Sequence, residues 1–304
     1  MFSEPMILRP TSDVDSRTLV RASEAGRLTR ISFGRYVETE RWAQLDELNR
    51  HRLRTLAVAS SATSDNVFSH YAAASVWRIP LLGEWPERID VLGPPRSGGR
   101  SSEQVRRRRT TALTEEIVEF DGVRVTSPAR TVADLARILP REEAVAAIDS
   151  ACWRGRSERR ARIDDVRRWA WRCRRDRGGE RAVEAAAFAT DLAESVWESA
   201  SRVAIASLGY PPPEMQHPFV WDRNTTYRCD FWWPEQRIIG EFDGLVKYAS
   251  PNRQSAHDIV VREKIREDRL RTMCAGFVRW TAADIRDPAR LSRLLQSAGL
   301  PLSP

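Results

Sequence analysis

Four acidic residues in the last third of the chain have the types and spacing to bind a divalent cation. Glu198 lies in a helical pattern, Asp230 in YRCDFWW, and Glu241 and Asp243 in RIIGEFDG. Side chains alternate along strands, so Asp230 and Glu241 can share one face of a sheet when a short turn joins their strands. Converging carboxylates repel unless a cation lies between them, and Mg²⁺ prefers one or two carboxylates with water and phosphate oxygens. We therefore predict a Mg²⁺ or Mn²⁺ site at Asp230 and Glu241, with Glu198 as a third acid.

Each acid taken alone also has an ordinary structural explanation. Asp230 could cap a turn or pair with Arg228 or Arg237, and Asp243 before Gly244 could be a turn residue. The combination of a helix Glu, a strand Asp and a strand Glu-x-Asp favours a site over these explanations. A metal there would polarise a phosphate and help to generate hydroxide from bound water.

The elements that must position these acids are predicted in the order αβββαβα. Gly209 ends the first helix, and the proline run that follows prevents its continuation. FVRW forms the fourth strand, and DPARLSRLLQSAG forms the closing helix. The predicted bounds are 189–208 for the first helix, 216–221, 227–233 and 237–242 for three strands, and 255–275 for the long helix.

The first half of the chain mixes short helices and strands. SRTLVRASEAGRLTRISFGRYVE predicts a helix, a glycine turn and a two-stranded wing, and a helix over 40–59 follows. ERIDVLGP predicts a strand, and IVEFDGVRVTS predicts a hairpin that turns at Asp121-Gly122. Ser127 is predicted to cap the first of two further helices that Pro140 separates. Leu28, Ile31 and Tyr36 are predicted as the apolar positions of this segment, with Gly26 and Gly34 in its turns.

Two segments are rich in arginine. RSGGRSSEQVRRRR, at 96–109, is a basic loop, and the Arg/Trp-rich stretch at 153–181 ends near Gly178-Gly179, a predicted domain boundary. We interpret the second stretch as a solvated connecting helix with one apolar stripe. An arm that lies along a phosphate backbone is the alternative interpretation.

The composition limits the classes of protein. The chain has 304 residues, enough for two domains, and 49 Lys+Arg against 42 Asp+Glu give a net charge of +7. Almost all of the positive charge is arginine, which suits phosphates and base edges. The four cysteines form no C-x-x-C pair, which argues against zinc and for reduced thiols. Without a signal peptide or a long apolar run, we expect a cytoplasmic protein with no membrane contact.

The C-terminal residues resemble a known nuclease family. The run ESVWESASRVAIASLGYPPPEMQHPF, YRCDFWWPEQRIIGEFDG and REDRLRTMCAGFVRWTAADI is similar to bacterial relatives of the very-short-patch-repair endonucleases, in the PD-(D/E)XK superfamily. The resemblance implies a metal-dependent nuclease in which Glu198, Asp230 and Glu241 are the three acids. Asp243 stands where the superfamily usually has Lys.

That substitution leaves the catalytic cation to another residue. Lys264 is the first candidate and Lys247 the second, while Arg262 and Arg269 are predicted to face the phosphate. The resemblance also places Gln216 near the site, and His257 is the one histidine that we expect nearby. Trp232 and Trp233 are core residues or base-stacking wedges, and we expect at least one to be core.

The N-terminal pieces GRLTRISFGRYVE, SHYAAASVWRIP and VTSPARTVADLAR resemble AbiEi-type antitoxin proteins. This resemblance implies DNA binding or regulation by a degenerate winged helix. Arg27, Arg30 and Arg35 are the candidate phosphate contacts, and a solvated face explains them equally well.

These observations predict an α/β (α+β) protein of four segments. They are a winged-helix-like segment at 1–60, an antitoxin-like α/β domain at 61–152, a basic connecting helix at 153–185, and an αβββαβ restriction-endonuclease-like domain at 186–304. The leading hypothesis is a metal-dependent DNA endonuclease or nickase. The alternative is a non-catalytic DNA-binding antitoxin or regulator with a degenerate nuclease fold. A homodimer and a cognate toxin or defence-system partner are further hypotheses.

Overall fold

The protein is a mixed α/β chain of helices and small sheets. A computed structural model describes residues 6–11, 15–60, 66–94, 103–112, 114–157, 160–244 and 253–303, with side chains at the start of the long helix described from 261 onward. Lys247 and the side chain of His257 lie outside the described residues.

The first half contains two-stranded sheets and a helical layer. Gly26 and Gly34 adopt the positive φ angles that their turns require, and Ile31 and Tyr36, two of the predicted apolar positions, are buried. The predicted helix over 40–59 is two helices. The elements are α1 (Ser16–Glu24), β1 (Leu28–Ser32), β2 (Arg35–Glu38), α2 (Thr39–Ala43), α3 (Glu47–Ser60), α4 (His70–Val76), β3 (Ile89–Gly93), β4 (Val105–Arg109), β5 (Ile117–Phe120) and β6 (Val123–Thr126).

Helices α5 (Pro128–Ala136) and α6 (Arg141–Cys152) follow the β5–β6 hairpin, which turns at Asp121-Gly122 as predicted. Ser127 caps α5, because its hydroxyl accepts a hydrogen bond from the Arg130 backbone N–H at 3.3 Å.

The segment predicted as one connecting helix contains two, α7 (Ile163–Arg172) and α8 (Gly179–Phe188). Val166 and Trp169 bury the apolar stripe of α7 in one core shared with α5, α6 and α8. The stretch is therefore an integral part of the helical layer, because its stripe faces apolar partners along its length.

The last part of the chain builds a four-stranded sheet in the order β10-β9-β8-β7, with β10 parallel to β9 and the other pairs antiparallel. Gly209 adopts φ +78° after α9, as the predicted helix stop requires. The elements are α9 (Val196–Ser207), β7 (Glu214–Asp222), β8 (Thr225–Trp233), β9 (Ile238–Phe242), α10 (Arg253–Met273), β10 (Gly276–Trp280), α11 (Ala282–Ile285) and α12 (Pro288–Ser297).

Helix α9 joins the two halves. Asp149 of α6 is fully buried and accepts hydrogen bonds from Ser199 Oγ at 2.8 Å and from Arg202 Nη1 at 2.9 Å, both on α9. Ser201, on the same helix, accepts a hydrogen bond from Trp280 Nε1 of the sheet at 2.8 Å. The helix that carries Glu198 is thus fixed between the helical layer and the sheet.

Candidate active site

Strands β8 and β9 place the two predicted metal ligands side by side. The antiparallel register pairs Phe231 with Gly240, so Asp230 and Glu241 are the next residues on the two strands. They share the face of Trp232 and Ile239, which pack on Leu270 of α10. The alternation of the sequence therefore gave the correct relative placement of these two acids.

Gly240 allows the sheet to pack tightly directly beside Glu241. A Cβ at Gly240 would lie 2.6 Å from the ring of Trp280 and 3.0 Å from that of Trp233. Both rings are buried on the opposite face from the acids. Only glycine leaves room for them, so the core beneath the site sets the position of β9.

Two arginines bind the Glu241 carboxylate. Arg266 Nη2 of α10 lies 2.7 Å from Oε1, and Arg279 Nη2 of β10 lies 2.8 Å from Oε2. Glu241 is only 3% exposed, so this charge requires such compensation. Burial alone would lower the pKa of Arg266, but the hydrogen bonds that it donates to Glu263 and Glu241, together with the charges of these carboxylates, raise it above its ordinary value. Arg266 and Arg279 therefore form a positively charged clamp on the two oxygens of Glu241.

Asp230 has a different environment. One oxygen, Oδ2, accepts a hydrogen bond from the Phe242 backbone N–H at 2.9 Å. Burial and the neighbouring charges of Glu198 and Glu241 raise the pKa of Asp230 from 3.8 to about 7, against the lowering effects of the Phe242 hydrogen bond and the charge of Arg266. Asp230 is therefore the acid of the cluster whose charge is least compensated by the protein.

Glu198 lies in the first turn of α9 and serves its cap. Its carboxylate accepts hydrogen bonds from the Glu194 backbone N–H at 3.0 Å, from Ser195 Oγ at 2.9 Å and from Gln216 Nε2 at 2.9 Å. Burial raises the pKa of Glu198 although these bonds favour its charged form. Glu198 therefore has a structural role in addition to its proximity to Asp230.

Gln216 is held in an unusual backbone conformation on β7. Its φ is +55°, in the left-handed region that costs a residue with a side chain about 1 to 2 kcal/mol. The side chain reaches Glu198 from there. The expected position of Gln216 beside the acids agrees with this contact.

The remaining predicted residues are spread more widely. Lys264 is exposed on α10, two residues before Arg266, and side chains two apart on a helix do not share a face. Arg262, also exposed, lies one turn before Arg266. Arg269 stacks on Trp221 with its guanidinium 5.0 Å from the ring centroid, and it donates a hydrogen bond to the Tyr227 hydroxyl.

Asp243 follows β9, and its carboxylate lies 4.0 Å from Arg279 Nη1. Trp232 and Trp233 are both buried, in the cores on the two faces of the sheet. Both are therefore core residues.

Sequence reasoning missed Arg266 and Arg279, which both contact the Glu241 carboxylate. Arg279 pairs with Glu241 in the parallel register of β10 and β9. The alternation within FVRW could have indicated an outward-facing arginine, but the register of a parallel pair is set by tertiary packing.

The arginines of the wing are not assembled into one site. Arg27 is exposed, and Arg30 is exposed with its guanidinium 5.4 Å from the centroid of the Phe33 ring. Arg35 donates hydrogen bonds to Ser60 Oγ at 3.0 Å and to the Ser60 carbonyl at 2.9 Å. Arg35 therefore braces the end of α3 against the hairpin.

The oxygen ligands at Asp230 and Glu241 fit the chemistry of Mg²⁺, which commonly takes one or two carboxylates and completes its sphere with water and phosphate. A carboxylate offers about four acceptor positions, of which the arginines on Glu241 use two. Within the described ranges, however, no group of three or more His, Cys, Asp or Glu side chains is arranged to hold a metal ion. The fit is therefore to a two-carboxylate site.

The fold and this acidic cluster define a mixed α/β protein with a buried carboxylate site on a small sheet. No protein-family model matches the chain. Two proteins of Mycobacterium tuberculosis, the uncharacterized protein MT2308 of strain CDC 1551 and the uncharacterized protein Rv2248 of strain H37Rv, are each 33% identical to it over 278 residues. Those residues cover 88% of this chain and 90% of each relative. The chain belongs to the family of these mycobacterial proteins.

Among the helices that the structure describes, none combines the length and the apolar character that crossing a membrane requires.

Proposed function

We propose that the protein is a divalent-metal-dependent DNA endonuclease or nickase that hydrolyses phosphodiester bonds. The observation that carries the proposal is the convergence of Asp230 and Glu241 on neighbouring strands, with Glu198 on the adjoining helix. The order α9, β7, β8, β9, α10 and β10 supports a restriction-endonuclease-like core of the very-short-patch-repair kind.

Asp230 and Glu241 would hold the metal. When bound, Mg²⁺ or Mn²⁺ supplies Lewis-acid polarisation of a phosphate and a water of lowered pKa. Because Asp230 is the least compensated acid, its charge is available for a cation. Glu198 on α9 adds negative charge near Asp230 and raises its pKa, and a bound cation would relieve this repulsion.

Arg266 and Arg279 supply the positive charge that the superfamily usually takes from a Lys at the position of Asp243. Both guanidiniums lie at the Glu241 carboxylate. Arg266 also donates hydrogen bonds to Glu263 and to the Arg228 carbonyl, so Arg279 is the better candidate to contact a phosphate oxygen. Arginine stays protonated, so it can stabilise developing charge but cannot act as a general base. Lys264 remains a candidate only if α10 rotates or shifts.

The first half would aid the binding of DNA. The antitoxin-like resemblance and the net charge of +7 support this role. We retain the cytoplasm as the expected location and a toxin or defence-system component as a candidate partner.

One observation favours a second function, a non-catalytic DNA-binding antitoxin or regulator. Both oxygens of Glu241 already accept hydrogen bonds from arginine, as in a site where ion pairs have replaced a metal. Asp243, at the position where the superfamily usually has Lys, also favours the non-catalytic function.

A plasmid-nicking assay separates the two functions. The full chain would be incubated with Mg²⁺ or Mn²⁺ on supercoiled, nicked, mismatched and single-stranded DNA, beside Asp230→Asn and Glu241→Gln. We expect metal-dependent cleavage by the unmodified chain and a loss of about 100-fold or more, equivalent to about 2.7 kcal/mol in the barrier, in either variant. Arg271→Gln is the matched control for an exposed cation on α10.

Absence of metal-dependent cleavage on all four substrates, combined with DNA binding that survives both substitutions, would establish the regulator instead. Cleavage that survives Asp230→Asn would place the reaction elsewhere in the chain.

A further inference from the structure

Arginines line a cavity of about 540 Å³ in the first half of the protein, which we call the arginine cavity. Its size is within the usual range for ligand sites, about 300 to 1,000 Å³. The arginines of its described lining are Arg106 to Arg109 on β4, Arg137, Arg177 and Arg181.

The fold assembles this cavity from the two arginine-rich segments of the sequence. Gly178 lets the second segment approach the end of α5, because a Cβ there would lie 2.1 Å from the Arg137 carbonyl oxygen. Its φ of +76° also favours glycine. Arg181 Nη2 donates a hydrogen bond to the same carbonyl at 2.8 Å, and Arg137 Nε donates to the Arg177 carbonyl at 3.3 Å. The predicted domain boundary is thus a close contact between α5 and the start of α8.

The positive charge of the cavity exceeds the nearby negative charge. Asp90 is fully buried behind β4 and binds Arg106 at 2.6 Å and Arg108 at 2.8 Å. Arg137 lies 3.5 Å from Asp134 and 3.3 Å from Asp176. Among the described lining residues, seven are arginines and one, Asp134, is a carboxylate.

His70, which also lines the cavity, adds no positive charge at neutral pH, because burial lowers its pKa to about 4. The excess charge therefore comes from arginine alone among the described lining residues.

Phosphate is the ligand group that this arrangement suits best. Arginine binds phosphate through a planar fork of donors, and concave walls of one sign concentrate the electrostatic field. Among the described lining residues, His70 is the only one with a ring, and none is Phe, Tyr or Trp. The described part of the lining therefore offers no aromatic platform on which a base would stack.

We propose that the arginine cavity binds the phosphodiester backbone of DNA without reading its sequence. The inference rests on the proposed function only in taking DNA as the partner. It places the DNA contact of the first half at β4 and α8 rather than at the wing arginines Arg27, Arg30 and Arg35.

The test is fluorescence anisotropy with a labelled DNA duplex and the full chain carrying Asp230→Asn, without metal, so that cleavage does not interfere. The cavity variant combines Arg109→Gln, Arg177→Gln and Arg181→Gln, three exposed positions. Arg106 and Arg108 stay, because Asp90 needs them. The control variant combines Arg17→Gln, Arg21→Gln and Arg293→Gln, which are also exposed, remove the same charge and lie outside the cavity lining.

We expect the cavity variant to bind about tenfold more weakly than the control at moderate salt. Each lost phosphate contact lowers the slope of log K against log salt by about 0.9 between about 50 and 200 mM, so a reduction of about 2 to 3 is expected. Circular dichroism would verify that both variants are folded. A third variant with Arg27, Arg30 and Arg35 changed to Gln should behave like the control.

Equal affinities and slopes for the cavity and control variants would overturn the proposal. So would loss of inorganic tripolyphosphate binding with unchanged DNA affinity, which would identify a small-anion site instead. If the cavity variant binds DNA more weakly than the control but the unmodified chain never cleaves DNA, the nuclease function alone is refuted. If the unmodified chain cleaves DNA but the cavity variant binds DNA as tightly as the control, this inference alone is refuted.

Discussion

The two halves of the molecule share a local design and differ in what surrounds it. In the first half, the buried carboxylate of Asp90 binds Arg106 and Arg108 of the neighbouring strand. In the second half, the buried carboxylate of Glu241 binds Arg266 and Arg279. Each half therefore places one carboxylate in a low-dielectric environment and compensates it with two guanidiniums.

The surplus charge around the two clamps has opposite sign. Further arginines surround the Asp90 clamp and leave it positive, whereas Asp230 and Glu198 lie near the Glu241 clamp. A buried carboxylate thus requires a pair of arginines, and the charged side chains around that pair determine whether the region attracts an anion or a cation. This difference predicts an anion partner for the first half and a cation partner for the second.

The largest effect is expected from removing both arginines of a clamp. Arg106→Gln with Arg108→Gln leaves Asp90 buried and uncompensated, which should lower the free energy of unfolding by about 3 to 5 kcal/mol. Asp90→Asn should be milder, because both arginines are partly exposed and can be hydrated. Urea unfolding would measure both variants.

The matched change in the second half sharpens the comparison. Arg266→Gln with Arg279→Gln should lose similar stability but regain part of it with Mg²⁺, because Asp230 and Glu241 can then share a cation. Mg²⁺ should not restore the Asp90 clamp. Equal rescue of both halves, or of neither, would contradict the opposite-sign comparison.

The next effect is a pH dependence from Asp230. Its folded pKa, about 7, is above its unfolded value of 3.8, so its stabilising contribution is complete below about pH 4 and is lost as pH rises through 7. Allowing for partial hydration, the loss is about 3 kcal/mol at about 1.4 kcal/mol per pKa unit. Mg²⁺ should therefore raise the melting temperature at pH 8 and leave it unchanged at pH 5.

Asp230→Asn is the control for this titration. It should flatten the loss of stability between about pH 4 and 8 and remove the response to Mg²⁺. Equal Mg²⁺ stabilisation of the variant and the unmodified chain would refute the metal site at Asp230.

A smaller effect is expected at Gly240. Ala at this position would push against Trp280 and Trp233, so we expect a loss of about 2 kcal/mol and a displaced Glu241. Gly209→Ala, whose Cβ meets nothing within 4 Å, should cost about 1 kcal/mol through its positive φ alone. Urea midpoints would compare them, and an equal loss would show that the close approach is relaxed in solution.

The smallest effect is expected at the helix caps. Ser195→Ala and Ser127→Ala each remove a side-chain cap and should each cost about 1 kcal/mol. Only Ser195→Ala should also weaken metal-dependent cleavage, because Ser195 Oγ donates to Glu198. Equal cleavage activity of the two variants would show that the Ser195 contact to Glu198 does not contribute to cleavage.

Local patterns predicted much of this protein correctly. The turn at Asp121-Gly122, the cap at Ser127 and the stop at Gly209 depend on residues a few positions apart, so the sequence states them directly. The break between α2 and α3 was missed, because a run such as TERWAQLDELN has no strong helix breaker.

The residues of the candidate site show the same difference between local patterns and tertiary packing. Asp230 and Glu241 could be paired from strand alternation and one short turn, which are local properties. Lys264 was chosen only because its helix was expected near the sheet, and the rotation of a long helix is set by packing. Arg266, and not Lys264, faces Glu241 for that reason.

The sequence by itself determined the acid positions, the order of the elements and the two arginine-rich segments. Only the tertiary structure decided that Arg279 pairs with Glu241 and that Arg109 and Arg181 line one cavity. The physical reason is that these contacts join distant parts of the chain. Helix packing and parallel strand register bring such residues together, and neither has a local signature in the sequence.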